Sequence, residues 1–240
     1  MKRRARFAVL CAVLAVAVGL AVVFVARNDS DAASGISLLR AEDRLPNRTA
    51  TDWVTYADHV VVVTPTEEKD QVRARGAEFV DRDLTLRVDE VLWSRPRAPR
   101  PAPEVFGWRA LGWSFEGGDT GERTELAMES APRVETGHSY VMAIVWEEAR
   151  CSEGDPSIPA QWGGLGSSGV IPFDDAILGQ GESEGRVVTV AQAREKVDSP
   201  TSASGLEGRL AGKGATALVA ELRSATPAER RSFLPAAPCK

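Results

Sequence analysis

Apolar positions in this chain have three textures: one unbroken run near the start, several short alternating or β-branched stretches, and a tail with helical spacing. The run is Phe7 to Ala26, with no charged or strongly polar side chain, and Lys2, Arg3, Arg4 and Arg6 precede it. At ~1.5 Å per residue a helix of that length spans about 30 Å, the hydrocarbon thickness of a bilayer. A helix there satisfies its own backbone hydrogen bonds. The basic cluster lies before the run, and Arg27, Asp29 and Asp31 follow it with mixed charge. The positive-inside rule therefore makes residues 1–6 a cytoplasmic segment, 7–26 a transmembrane helix, and the rest of the chain extracytoplasmic. The alternative is a cleaved signal peptide and a secreted product. Against it, the run exceeds the roughly 7–15 residues of a signal core. Cleavage after Ala26 would also put bulky Phe24 three positions back.

Residues 27–48 have no periodicity and read as a linker. Thr49-Ala50-Thr51-Asp52 has the capping-box pattern and opens a short helix that can turn Trp53, Val54 and Ala57 to a core. His59-Val60-Val61-Val62-Val63-Thr64-Pro65 is a β-branched run ended by proline, a buried strand. The charged stretch Glu67 to Arg75 reads as an exposed loop. Leu84, Leu86 and Val88 then alternate with polar residues, and the phase slips at Val91-Leu92. A one-residue slip turns the apolar set to the other face, so a β-bulge near Asp89–Glu90 is expected. Pro96, Pro99, Pro101 and Pro103 form a stiff connection.

Val105 to Trp113 and Leu126 to Met128 are further strand candidates. Tyr140 to Trp146 is apolar on both faces and should be central. Residues 147–168 read as irregular, and short strands are expected at Gly169–Phe173 and Arg186–Val190. The tail is helical: Thr216 to Leu222 puts Leu218, Val219 and Leu222 on one face, and Thr226-Pro227-Ala228-Glu229 carries helix-start signals. The domain plan is thus a β domain over 49–190 and a loop and helical tail over 191–240. The fold class is mostly β (α+β): a small antiparallel barrel or sandwich, with a short N-terminal helix, a C-terminal helical tail and a separate transmembrane helix.

The segments Ala57–Val63, Leu84–Leu92 and Gly137–Ile144 resemble exported bacterial proteins of unassigned function whose domain is similar to an OB-type or netrin-like barrel. The resemblance spans residues 50–175 and rests on strand texture. It implies a barrel and no particular activity.

Charge changes the picture of partners. Net charge is −5, but with the basic residues up to Arg27 set aside, residues 28–240 carry −10. So acidic an exported surface repels nucleic acid and argues against it as a partner. Of three cysteines, Cys11 lies in the apolar run, which leaves Cys151 and Cys239 as an even pair in an oxidising compartment, a disulfide candidate.

Catalytic chemistry is weakly represented. His59 and His138 are the two histidines, and Gly164-Leu165-Gly166-Ser167-Ser168-Gly169 does not fit a nucleophile elbow. The residues define no catalytic, cofactor-binding or metal site, and no cofactor is implied. The acidic stretches Glu116–Glu122, Glu153–Asp155 and Asp174–Glu184 lack calcium-loop spacing. Trp108, Trp113 and Trp162 lie in glycine-rich stretches, where exposed indoles could stack on a sugar or anchor a partner. Half-buried core tryptophans are the plainer reading of the same residues. The sequence therefore favours a membrane-tethered, non-catalytic binding domain whose partner is an envelope protein or polymer. The alternatives are an envelope hydrolase using Ser167 or Ser168 with His138, or a structural element of a surface assembly.

Overall fold

A computed structural model of the protein describes residues 35–74, 76–116, 122–151, 158–198 and 205–231. The expected membrane helix at 7–26 lies outside them, as does Cys239. Among the described residues no helix is long and apolar enough to cross a membrane.

The strands are β1 (Ile36–Leu39), β2 (His59–Asp70), β3 (Phe79–Ser94), β4 (Val105–Phe115), β5 (Arg123–Met128), β6 (Tyr140–Glu147), β7 (Gln161–Gly164), β8 (Val170–Pro172), β9 (Gly181–Ser183) and β10 (Arg186–Val188). The helices are α1 (Ala50–Tyr56), α2 (Val190–Asp198), α3 (Leu206–Leu210) and α4 (Ala215–Ser224). One curled sheet runs β1-β5-β4-β3-β2-β6-β7, with β8 also paired to β6, and β9 and β10 form a separate hairpin. The ladders of the main sheet are antiparallel except β1–β5, which is parallel.

Period-two alternation in β2 and β6 builds two cores from one sheet. Val60, Val62, Val141 and Ala143 face the helices and pack with Trp53, Leu206, Leu218 and Leu222. Val61, Val63, Tyr140, Met142 and Ile144 face the concave side with Leu84, Leu86 and Phe106. From Tyr140 to Val145 every residue is buried, so β6 is the central strand its composition predicts. Each such aliphatic side chain contributes about 1.5–3 kcal/mol when fully buried.

Helix α1 begins with the expected box. The Thr49 hydroxyl accepts from the Asp52 N–H at 3.0 Å, and the Asp52 carboxylate accepts from the Thr49 N–H at 2.9 Å. One of the two bulges in β3 falls where the phase slip puts it. Val62 opposes Glu90 and Val63 opposes Val88, which leaves Asp89 as the extra residue.

Several expectations are corrected. The sheet is an open half-barrel, because the hydrogen-bonded path ends at β1 and β7. The Trp108 ring fills the gap between β4 and β7: a Cβ built on Gly164 would lie 2.1 Å from Trp108 Cη2. An indole wedged there keeps the two backbones too far apart to pair. The linker does not extend to residue 48, since Ile36–Leu39 pairs with β5. The charged stretch after Pro65 continues β2 to Asp70, solvated as an exposed ribbon against β3. The segment expected to be irregular contains β7. Residues 225–231 are not helical despite their start signals. They run across α1, where Ala228 N–H donates to Thr55 Oγ1 at 2.8 Å and Arg230 Nη2 to the Tyr56 carbonyl at 2.9 Å.

Candidate functional site

Both histidines are held by neighbours. His59, buried at the start of β2, has Nε2 2.9 Å from the Arg100 carbonyl and Nδ1 2.8 Å from the Ser94 hydroxyl. A carbonyl only accepts, so the proton sits on Nε2 and Nδ1 accepts from Ser94. The ring thereby ties the proline-rich connection to the sheet. His138 donates from Nδ1 to Asp174 Oδ2 at 2.6 Å, while Asp174 Oδ1 accepts the Ser139 N–H at 2.8 Å. Next to it, Asp175 and Ala176 are left-handed, with φ of 54° and 60°. Such conformations cost of order 1 kcal/mol each, and bonds between Asp174, Asp175 and Gln180 hold the turn.

The serines of the glycine-rich loop are elsewhere. Met142 opposes Val170 and Tyr140 opposes Pro172, so Asp174 falls beside His138. Ser167 and Ser168 lie beyond Val170 at the other end of that ladder, roughly 20 Å from His138 at ~3.3 Å per residue. The Ser167 hydroxyl and N–H both donate to the Asp43 carboxylate. The structure therefore does not bring Ser167 or Ser168 to His138.

Of the three candidate tryptophans, two share one end of the concave face and the third sits at the other. The Trp108 ring packs against Gly164 in the gap between β4 and β7. Trp162 of β7 packs edge-on against Trp146 of β6, ring centres 5.4 Å apart, and at the same distance from His59. The Arg100 guanidinium lies 5.2 Å from the Trp146 ring centre, and Trp146 Nε1 donates to Glu148 at 2.9 Å. Trp113 donates to Asp70 at 2.8 Å and has the guanidinium of Arg123 at 3.2 Å and that of Arg133 at 4.9 Å from its ring centre. Its ring is thus engaged within the fold. Trp146, the last residue of the stretch expected to be central, is half-buried and joins Trp162 at the sheet end.

The opposite end holds a buried polar network that sequence reading missed. Arg82 is fully buried; its Nε donates to the Leu111 carbonyl and its Nη2 to the Arg133 carbonyl, both at 2.8 Å. Its Nη1 is 3.0 Å from Glu68 as an ion pair, but out of line for a hydrogen bond. Arg133 donates to the carbonyls of Leu126 and Gly112 and to Glu135. Buried Glu182 accepts from the N–H groups of Arg133, Val134 and Gly185 and from the Tyr140 hydroxyl. Burial pushes the Glu182 carboxyl above its ordinary value, although the hydrogen bonds from Arg133, Gly185 and Tyr140 oppose this. Burial, then the Glu182 charge, pushes the Tyr140 hydroxyl up as well. These groups latch the β9–β10 hairpin to the sheet and satisfy the carbonyls at the Gly112 bulge of β4. A lone arginine inside an alternating strand was the available signal.

A second buried carboxylate, Asp58, accepts the Trp146 N–H at 2.8 Å and pairs with Arg95. Cys151 is disulfide-bonded, and the other two cysteines, Cys11 and Cys239, both lie outside the described residues. Among the described residues no group of three His, Cys, Asp or Glu side chains could hold a metal ion. No family model matches the chain, and no curated protein or solved structure matches it.

Proposed function

We propose that the protein is a membrane-tethered extracytoplasmic domain that acts by binding an envelope component, using the sheet end where Trp146 and Trp162 meet. The carrying observation is that edge-to-face pair, half-buried and seated on a histidine fixed through both ring nitrogens. A rigid aromatic pair offers large contact area at little entropic cost. The side chains that nucleophilic catalysis would use are engaged apart from one another: Ser167 with Asp43, His138 with Asp174 and His59 with Ser94 and Arg100. The tether is the apolar run 7–26 with its basic flank, and the exported compartment suits the disulfide of Cys151, for which Cys239 is the partner on this reading.

Two measurements test this. In intact cells that make the protein, external protease should digest residues beyond the anchor; protection before and after osmotic shock refutes the topology. Full-length protein in neutral detergent should co-sediment with isolated envelope material. The Trp146→Ala, Trp162→Ala double variant should lose this while still unfolding cooperatively, at a lower melting temperature because Trp162 packs against the core. Unchanged sedimentation of a folded double variant overturns the assignment of the surface.

A further inference from the structure

The aromatic end is also where unpaired positive charge collects, in an exported region whose net charge is −10. Arg95, Arg97 and Arg100 lie on the connection from β3 to β4, and Arg230 arrives from the C-terminal segment. Arg95 pairs with buried Asp58, and its Nε is buried with no hydrogen-bond partner. Arg97 and Arg100 form no ion pair among the described residues, Arg230 donates to the Tyr56 carbonyl and feels the Asp58 charge without a direct ion pair, and all three are exposed. The neighbouring acids are largely taken: Asp58 by Arg95 and the Trp146 N–H, Glu147 by Arg44 and Arg150, and Glu148 by Trp146 Nε1. Burial, then the charge of Arg95, lowers the Arg230 guanidinium from its ordinary value, and the Asp58 charge opposes this.

The arginines are also presented stiffly. Pro96, Pro99, Pro101 and Pro103 restrict the connection, Ala98 N–H closes a turn onto the Arg95 carbonyl at 3.1 Å, and the Arg100 carbonyl is fixed by His59. A preorganised guanidinium loses less entropy on binding than one on a mobile loop. Guanidinium forks match carboxylate and phosphate oxygens, and the adjacent indole faces match the C–H faces of sugar rings. From this juxtaposition we propose that the aromatic end is a docking surface for an anionic polysaccharide of the envelope. Arg97, Arg100 and Arg230 meet its charged groups, and Trp146 and Trp162 meet its rings. The proposal rests on the binding reading above and adds the ligand's chemistry.

The test uses full-length protein in neutral detergent against four immobilised probes: polygalacturonate, a glycerol-phosphate polymer, neutral dextran and vesicles containing anionic lipid. Polygalacturonate should bind, with affinity falling about tenfold or more between roughly 50 and 300 mM salt, and stronger binding to the ring-free glycerol-phosphate polymer overturns the part assigned to the indoles. Arg97→Ala with Arg100→Ala should weaken that binding about tenfold and flatten its salt dependence. Trp162→Ala should weaken it while leaving the salt dependence in place. Equal binding to dextran, unaffected by the arginine changes, overturns the anionic assignment and leaves the binding reading standing. Stronger binding to the vesicles than to either polymer overturns it in favour of a lipid surface. Failure of the folded protein to bind any probe overturns it too, and the envelope co-sedimentation above then decides whether the binding reading survives.

Discussion

Substituting Gly164 tests the closure of the half-barrel directly. A Cβ added there meets Trp108 Cη2 at 2.1 Å and Cζ3 at 2.7 Å, far inside contact distance, so the indole must leave its place. Overpacking of this kind costs about 1–3 kcal/mol. Taken alone, replacing glycine by alanine inside a strand should stabilise by about 0.5–1 kcal/mol. The sign of the measured effect therefore depends on Trp108. In wild type, Gly164→Ala should destabilise by about 1–2 kcal/mol. In a Trp108→Leu background, where no ring reaches β7, the same change should be neutral or slightly stabilising. The double-mutant cycle then gives a coupling of roughly 2 kcal/mol, within the range for residues in contact. Urea unfolding followed by far-ultraviolet dichroism supplies the four stabilities, and similar slopes against urea show that the cycle compares like states. An equal cost of Gly164→Ala in both backgrounds would refute the placement of Trp108 between β4 and β7, and the account of the open sheet with it.

Ile144→Asp should cost several kcal/mol in thermal or urea unfolding, since it puts an unpaired carboxylate in a fully buried site. Thr85→Asp, half-buried on the opposite face of β3, should cost under about 1 kcal/mol, and equal losses would sink the facing of these strands. Denatured, unreduced protein should label at Cys11 alone; labelling at Cys239 as well would mean that Cys151 is bridged to something other than the tail. Asp89 lies below the ordinary carboxylate range: burial raises it, but hydrogen bonds from Arg87 and Thr64 and the Arg87 charge outweigh that. Its contribution to stability is therefore present above the unfolded carboxyl value and lost as pH falls through the folded one. Arg87→Ala should move the Asp89 titration upward by NMR, and an unmoved titration would remove Arg87 as a cause.

What the sequence disclosed were features with a local cause. The Thr49–Asp52 box, the doubly apolar β6 and the phase slip at Asp89 each depend on residues within one turn or one strand, so spacing suffices to find them. The misses depend on partners distant in the chain. Ile36–Leu39 is a strand because β5 offers it a free edge 89 residues further on, as the register of Ile36 with Glu125 shows. Thr226–Glu229 has helix-start signals, but its backbone is claimed by Thr55, and the Arg230 side chain by the Tyr56 carbonyl. At the candidate site, the three glycine-flanked tryptophans looked alike in sequence. The structure separates them through Gly164, Asp70 and His59, contacts that leave no periodic trace.

The segment read as a spacer links both edges of the sheet. Residues 36–39 pair with β5 at one edge, and Asp43, Arg44 and Asn47 then reach the other, where they hold Ser167, Glu147 and the Leu165 carbonyl. Gly166 admits this contact: it is left-handed, with φ of 132°, and a Cβ there would lie 2.0 Å from the Asn47 amide. Asn47 is itself fixed from α1, whose Trp53 Nε1 donates to its carbonyl at 2.7 Å. Exposed sheet edges invite pairing with other chains, and this strap covers the β5 edge with β1 while its contacts beside β7 hold the curl that hydrogen bonds alone leave open. On the tethered reading only residues 27–35 separate the bilayer from β1, about 30 Å at full extension. The strap is then also the tether, so the sheet edge that it covers stays close to the membrane. The Trp146–Trp162 end, held by Arg44 through Glu147, takes its position from the same segment.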